Sequence, residues 1–203
     1  MHRDVERFDR WAESYDTHHL QRLLFEPVQR TLLEVAVAQK PDARAILDVG
    51  CGTGRLLRLA ASVFPSARLE GVDAAPSMVK QASAAMPSGT QVNFQVAAAE
   101  QLPFPAGEFD LVFSTMTFHH WESQSAGIGE VARVLAPGGR WLLADFVARG
   151  FMRFVRAAFR LRRFPARRGL DELLAQHGMA VVGERLVPGL GGQVPILVIW
   201  NVG

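Results

Sequence analysis

The feature that most constrains this chain is the run ILDVGCGTG at positions 46–54. An apolar stretch feeds directly into three glycines at alternate positions, Gly50, Gly52 and Gly54, and a helical pattern follows at once. Strand, glycine turn and helix in that order predict a unit whose backbone can approach a ligand closely. The helix start behind the turn adds unpaired N–H groups and the positive end of a dipole. The alternation then repeats. Strands are predicted at 45–49, 68–73, 92–97, 109–115 and 140–147, with helices over 54–63, 76–85 and 122–135. Pro76 suits the first turn of its helix. A short helix at 170–177 and two strand-like runs, MAVVGERLV and VPILVIWNV, complete the chain. This pattern predicts an α/β fold with a doubly wound parallel sheet and helices on both faces.

Composition narrows the class. The chain has 203 residues, 49% apolar and 21% charged, which is ordinary for one folded domain. Cys51 is the single cysteine, so neither an internal disulfide nor a thiolate zinc site is expected. No apolar run approaches the roughly 20 residues of a membrane span, and the opening MHRDVERFDRW lacks the apolar core of a secretory signal. A cytoplasmic location is the expectation. The first forty residues read as helical: Val5, Phe8, Trp11, Ala12 and Tyr15 make one stripe, and Leu20, Leu23, Leu24, Val28, Leu32 and Val35 another. Pro27 is expected to kink this stretch or start a second helix in it.

The acids around the glycine turn indicate the ligand. A dinucleotide fingerprint needs a third glycine where Arg55 stands. Asp48, two residues before the first glycine, would repel a pyrophosphate and suits a cation. Asp73 ends the second predicted strand, where a carboxylate can accept from both hydroxyls of a ribose or, alternatively, cap the next helix. Together they point to a nucleoside with a positively charged tail that is not phosphorylated.

The runs ILDVGCGTG, EGVDAAPSMV, AEQLPFPAGEFDLVFSTMTFHHW and EVARVLAPGGRWLLADF, in that order, resemble the class I S-adenosylmethionine-dependent methyltransferases. Within that class the chain is most similar to the group containing the ubiquinone/menaquinone C-methyltransferases and many small-molecule methyltransferases. The resemblance implies a Rossmann-like sheet of seven strands, mostly parallel, with the last strand antiparallel between the fifth and sixth. It also implies a helical lid over 1–43, a methyltransferase domain over 44–203, and a basic substrate-lid insertion at 148–169. The implied cofactor is S-adenosyl-L-methionine, with Asp48, Gly50, Cys51, Gly52, Gly54, Asp73, Ala74, Met78, Ala99, Glu100 and Ser114 as its binding set. Ala97-Ala98-Ala99-Glu100 departs from the family's pattern, because Ala98 replaces an aspartate beside the adenine; Glu100 or the backbone at Ala99 would take that contact.

Methyl transfer from a sulfonium relies chiefly on positioning, and a base is needed only for a protonated acceptor. His119 and His120, in the loop after the fourth strand, are candidate bases; the alternative is one packed and one exposed histidine. Tyr15, the only tyrosine, is a candidate for contact with the sulfonium by cation–π attraction, or for plain packing on the sheet. No metal site is expected. Nucleophilic chemistry at Cys51 is not expected either.

The arginines are unevenly placed. Eight fall between Arg149 and Arg168 with no acid among them, leaving 14 basic against 20 acidic side chains elsewhere. The segment reads as a basic amphipathic helix: a solvated face, a peripheral membrane contact, or a site for an anionic or lipophilic small-molecule acceptor. Nucleic acid is a poor fit without a recognition module. Two rival functions are a cofactor-binding partner subunit without methyl transfer and a nicotinamide-dependent oxidoreductase, the second opposed by Arg55.

Overall fold

The computed structural model describes residues 19–87, 89–146, 166–189 and 192–201. A helix, α1 (His19–Gln39), precedes the alternating core. There follow β1 (Ala45–Val49), α2 (Arg55–Val63), β2 (Arg68–Asp73), α3 (Pro76–Ala85), β3 (Val92–Val96) and β4 (Phe109–Thr115). A 3₁₀ turn (Phe118–His120), α4 (Gln124–Val134), β5 (Leu135–Ala144), α5 (Arg167–Gln176), β6 (Met179–Gly189) and β7 (Gly192–Asn201) complete the described elements.

The seven strands form one sheet in the order β3-β2-β1-β4-β5-β7-β6. β1 pairs in parallel with both β2 and β4, β2 with β3, and β4 with β5, while β7 runs antiparallel to β5 and β6. The expected position and direction of the last strand are therefore met. Successive residues of the inner strands alternate between two cores, as the pleat requires. Leu47, Val49, Val112, Trp141 and Leu143 face Ile128, Val131, Leu170 and Leu174 of α4 and α5. Ile46, Leu111, Phe113 and Leu142 share the other core with α1 and α2. Burial on both faces explains why these strands read as continuous apolar runs. β3, at the sheet edge, instead exposes Asn93 and Gln95.

Several boundaries moved. β5 starts at Leu135, which pairs with Phe109; the Pro137-Gly138-Gly139 turn is taken up as an irregularity before Arg140 pairs with Leu111. It stops at Ala144 rather than 147, so Asp145 stands at the strand's tip. α5 begins at Arg167, earlier than 170, where Arg167 pairs with Asp171 and Glu184 and Arg168 with Glu172. These two arginines are surface ion-pair partners. The other six of the arginine segment lie outside the described residues.

α1 continues through Pro27 as one helix. Val28, Leu32, Leu33 and Ala36 are buried and belong to the core shared by the sheet and α2. This part of the expected lid is thus packed as a structural helix; residues 1–18, with Tyr15, lie outside the described residues. Glu26 fixes its other side, receiving bonds from Arg30 (2.8 Å) and from Arg55 (2.9 Å) at the start of α2. Leu32→Ala is expected to lower stability by about 2–5 kcal/mol, the usual effect of emptying a buried leucine site. Urea unfolding checks this, and a loss within about 0.5 kcal/mol, the usual effect of a surface change, would mean the helix merely rides on the sheet.

Candidate active site

The sheet order reverses between β1 and β4, and in such sheets the crevice outside the carboxyl ends of those strands receives ligands. The glycine turn fills one wall. Gly50, Gly52 and Gly54 all have left-handed backbones, with φ of 78°, 53° and 72°. Gly50 and Cys51 donate their N–H groups to the Val72 carbonyl at 2.8 and 2.9 Å, which stitches the turn to β2. A Cβ at Gly50 would run into the Thr117 side chain, and one at Gly54 would press the Phe94 ring at 2.7 Å. At Gly52 it would meet nothing within 4 Å among the described residues. Among the described residues the missing side chain at 52 therefore faces open space, where a ligand can lie against the turn.

Two carboxylates border that space. Asp73, at the end of β2, accepts from the Gly52 N–H on Oδ2 and from the Ala75 N–H on Oδ1, both at 2.9 Å. These bonds orient the carboxylate and help the chain enter α3, and a carboxylate oxygen accepts more than one hydrogen bond. The α3 N-cap itself is Ala75, with no side-chain cap bond. Asp48 is buried at 2% exposure, and among the described residues its Oδ1 has no hydrogen-bond partner. Burial, with the neighbouring Asp73 charge adding to it, pushes its pKa up to about 8. A buried acid left this way matches an incoming ammonium group. The residues thus fit the aminoacyl tail and ribose of S-adenosylmethionine: Asp48 for the cation, Asp73 for the hydroxyls, Gly52 for close backbone approach.

Other expected contacts are placed differently. Cys51 is buried and burial pushes its thiol well up, so it serves the turn as a small apolar side chain. Ala74 is exposed beside Asp73, and Met78, on α3, is 2% exposed. Ala99 is buried, and Glu100 accepts from the Ser123 N–H at 3.0 Å, anchoring the entry to α4. The Ser114 hydroxyl is fully buried and accepts from the Trp141 indole Nε1 at 3.1 Å, so it faces the core and not the crevice.

The loop after β4 forms the second wall. Met116 has φ of 56°, a left-handed backbone that is unfavourable for a residue with a Cβ. This turn lays Thr117 against Gly50 and leads into the 3₁₀ turn. Phe118 is buried edge-on to Trp121, their centroids 4.9 Å apart, and Trp121 stacks on Trp141 at 5.9 Å. His119 Nδ1 lies 2.7 Å from Asp145 Oδ1, and the His119 N–H donates to Asp145 Oδ2 at 3.1 Å. The His120 ring lies 3.9 Å from that of His119. Asp145 was missed in the sequence because the fifth strand was read through it. Its signal is an acid closing an apolar run, as Asp73 closes β2.

Asp48 generates a pH prediction. Its folded-state pKa of about 8 lies above its ordinary 3.8, so the stability it allows is fully present below pH 4 and is lost as pH rises through 8. Asp48→Asn is expected to be more stable than the parent, by a margin that grows from pH 5 to pH 9. Thermal unfolding across that range checks it; a constant margin would show that Asp48 is ionised throughout.

Comparison with known proteins agrees with this geometry. Residues 46–139 match the family described as a methyltransferase domain. A malonyl-[acyl-carrier protein] O-methyltransferase of Geobacter sulfurreducens is 34% identical over 162 residues, covering 80% of this chain and 59% of the relative. A ubiquinone/menaquinone biosynthesis C-methyltransferase of Geotalea daltonii is 35% identical over 156 residues, covering 73% of this chain and 65% of the relative. The chain thus spans less than two thirds of the length of either. In fold it is similar to the magnesium protoporphyrin IX methyltransferase of Synechocystis PCC 6803, solved with bound S-adenosylhomocysteine (TM-score 0.73, 21% identity, 96% of this chain and 94% of that one). Residues 46–139 thus match a methyltransferase domain, set in a fold similar to that of a solved methyltransferase.

Proposed function

We propose that this protein transfers a methyl group from S-adenosylmethionine to a small-molecule acceptor by in-line displacement. The observation that carries the reading is the buried Oδ1 of Asp48, without a hydrogen-bond partner among the described residues, beside an Asp73 already tethered to the Gly52 backbone. Asp48 holds the ammonium group of the donor's amino-acid tail. Asp73 holds the ribose hydroxyls, and its bonds to Gly52 and Ala75 keep it from turning away. With Glu100 engaged by Ser123 and alanine at 98, the adenine rests on exposed Ala74 and Ala98 without a side-chain carboxylate from that run. The donor supplies an electrophilic methyl on a sulfonium, and the chain's contribution is to bring acceptor and methyl together in line.

The acceptor site is assigned to the loop after β4. The relatives are named for O-methylation of malonyl-[acyl-carrier protein] and for C-methylation in ubiquinone/menaquinone biosynthesis. A lipophilic or anionic acceptor therefore remains the reading for this chain, with the arginines of 149–163 meeting its charge or a membrane surface. Among the described residues no helix is long and apolar enough to cross a membrane, and we place the reaction in the cytoplasm.

Calorimetric titration with S-adenosylhomocysteine tests the reading. Saturable one-to-one binding is expected, and its absence at high micromolar ligand overturns it. Asp73→Ala should weaken that binding by about 1–3 kcal/mol, or roughly 5- to 150-fold. Because the free protein holds Asp48 protonated below about pH 8, binding the ammonium group must release that proton. Affinity should then fall by up to about tenfold per pH unit below 8, a slope that Asp48→Asn abolishes.

A further inference from the structure

We propose that His119 and Asp145 act as a proton-abstracting pair, His119 as the base and Asp145 as its positioning residue, and that the acceptor is accordingly methylated on a hydroxyl group. The inference deepens, and rests on, the methyl-transfer reading above.

Asp145 is 2% exposed and is held at three points: by the Phe146 N–H on Oδ1 at 2.6 Å, by the His119 N–H on Oδ2, and by the His119 ring at 2.7 Å. An ionised carboxylate only accepts, so the proton of a neutral His119 ring sits on Nδ1 and the basic lone pair on Nε2. The short distance is that of a charge-assisted bond. Two backbone bonds would suffice to anchor the loop. The third sets the ring's tautomer and its rotation. The ring keeps 12% of its side chain exposed while its carboxylate partner is at 3%. His120 at 3.9 Å and Phe146 at 6.2 Å flank it.

Position in the fold puts the pair at the same end of the sheet as the glycine turn. Asp145 stands at the carboxyl end of β5, and His119 follows β4, the strand next to it. Thr117, two residues before His119, lies against Gly50 of the cofactor turn. An amine attacks as its free base and sheds a proton only afterwards, and a thiol attacks as its thiolate, whereas a neutral phenolic hydroxyl of pKa about 10 is a poor nucleophile until its proton leaves. Of these nucleophiles, the hydroxyl is the one whose attack itself calls for an imidazole positioned to take the proton. In the step, the hydroxyl proton passes to His119 Nε2 as the oxygen pair forms the O–CH₃ bond. The pair of the breaking C–S bond stays on sulfur, giving a neutral thioether. The imidazolium, stabilised by Asp145, which remains ionised, then loses its proton to water.

The test uses the full chain, Asp145→Asn and His119→Gln, with S-adenosylmethionine and a panel of 4-methoxyphenol, phenol, 4-nitrophenol, benzylamine and thiophenol. Asp145→Asn is expected to lower kcat/KM on phenol by about 10²- to 10⁴-fold. The loss should shrink toward the more acidic 4-nitrophenol, with S-adenosylhomocysteine affinity within twofold of the parent. A loss equal across the phenols, no loss, or transfer confined to the amine or thiol overturns the proposal. If nothing on the panel is methylated, ¹⁵N-histidine spectra decide it, with His119→Gln assigning the signal. A neutral ring protonated on Nδ1 in the parent, changed in Asp145→Asn, supports the pair, and any other tautomer overturns it. Failure of S-adenosylhomocysteine to bind the parent would instead remove the methyl-transfer reading itself.

Discussion

Everything at the site depends on β1 being buried between β2 and β4. That placement makes the chain leave the sheet's centre in one direction and return on the other side, which brings the ends of β1, β2, β4 and β5 to one crevice. The Gly50–Thr117 contact locks the two central loops together, and it exists only because position 50 lacks a Cβ. Asp48 and Asp73 arrive on β1 and β2, His119 after β4 and Asp145 after β5. The four side chains thus stand at one end of neighbouring strands of a single sheet.

The same arrangement stores a cost. A buried carboxyl beside a second acid would be replaced if stability alone were at stake. Met116 adds a smaller penalty of about 1–2 kcal/mol in the backbone that carries Thr117 and the histidines. Such local conflicts gather where a fold is shaped around a ligand. Asp73 and Asp145 show the opposite policy, for each accepts two backbone N–H bonds that aim it.

Much of this was legible in the residues. β1, β2 and β4 have the predicted limits because their apolar residues are buried on both faces and each run ends at a turn. The Pro76 helix and the antiparallel last strand also fall where expected. Side-chain direction was less readable. Ser114 and Glu100 sit at positions that border a crevice in chain order, yet one turns into the core toward Trp141 and the other closes on the α4 entry. α1 carries the amphipathic stripe of a lid, but the stripe is equally that of a core helix, and only Val28, Leu32 and Ala36 in place distinguish the two. Asp145 was hidden by a boundary error of three residues. Arg55 was read only as a broken nucleotide fingerprint, whereas it also pins α1 to the glycine turn through Glu26.

The aromatic packing under the second wall has an optical consequence. Trp121 and Trp141 lie nearly parallel, 6° between their planes, and Trp141 is tied to β4 through Ser114. Trp121 directly follows His120. Stacked indoles in a fixed chiral arrangement couple their electronic transitions, so the near-ultraviolet circular dichroism of this protein carries a signature of the very loop that presents the histidines. Any rearrangement of that loop on ligand entry is written into the protein's own absorption, without a label.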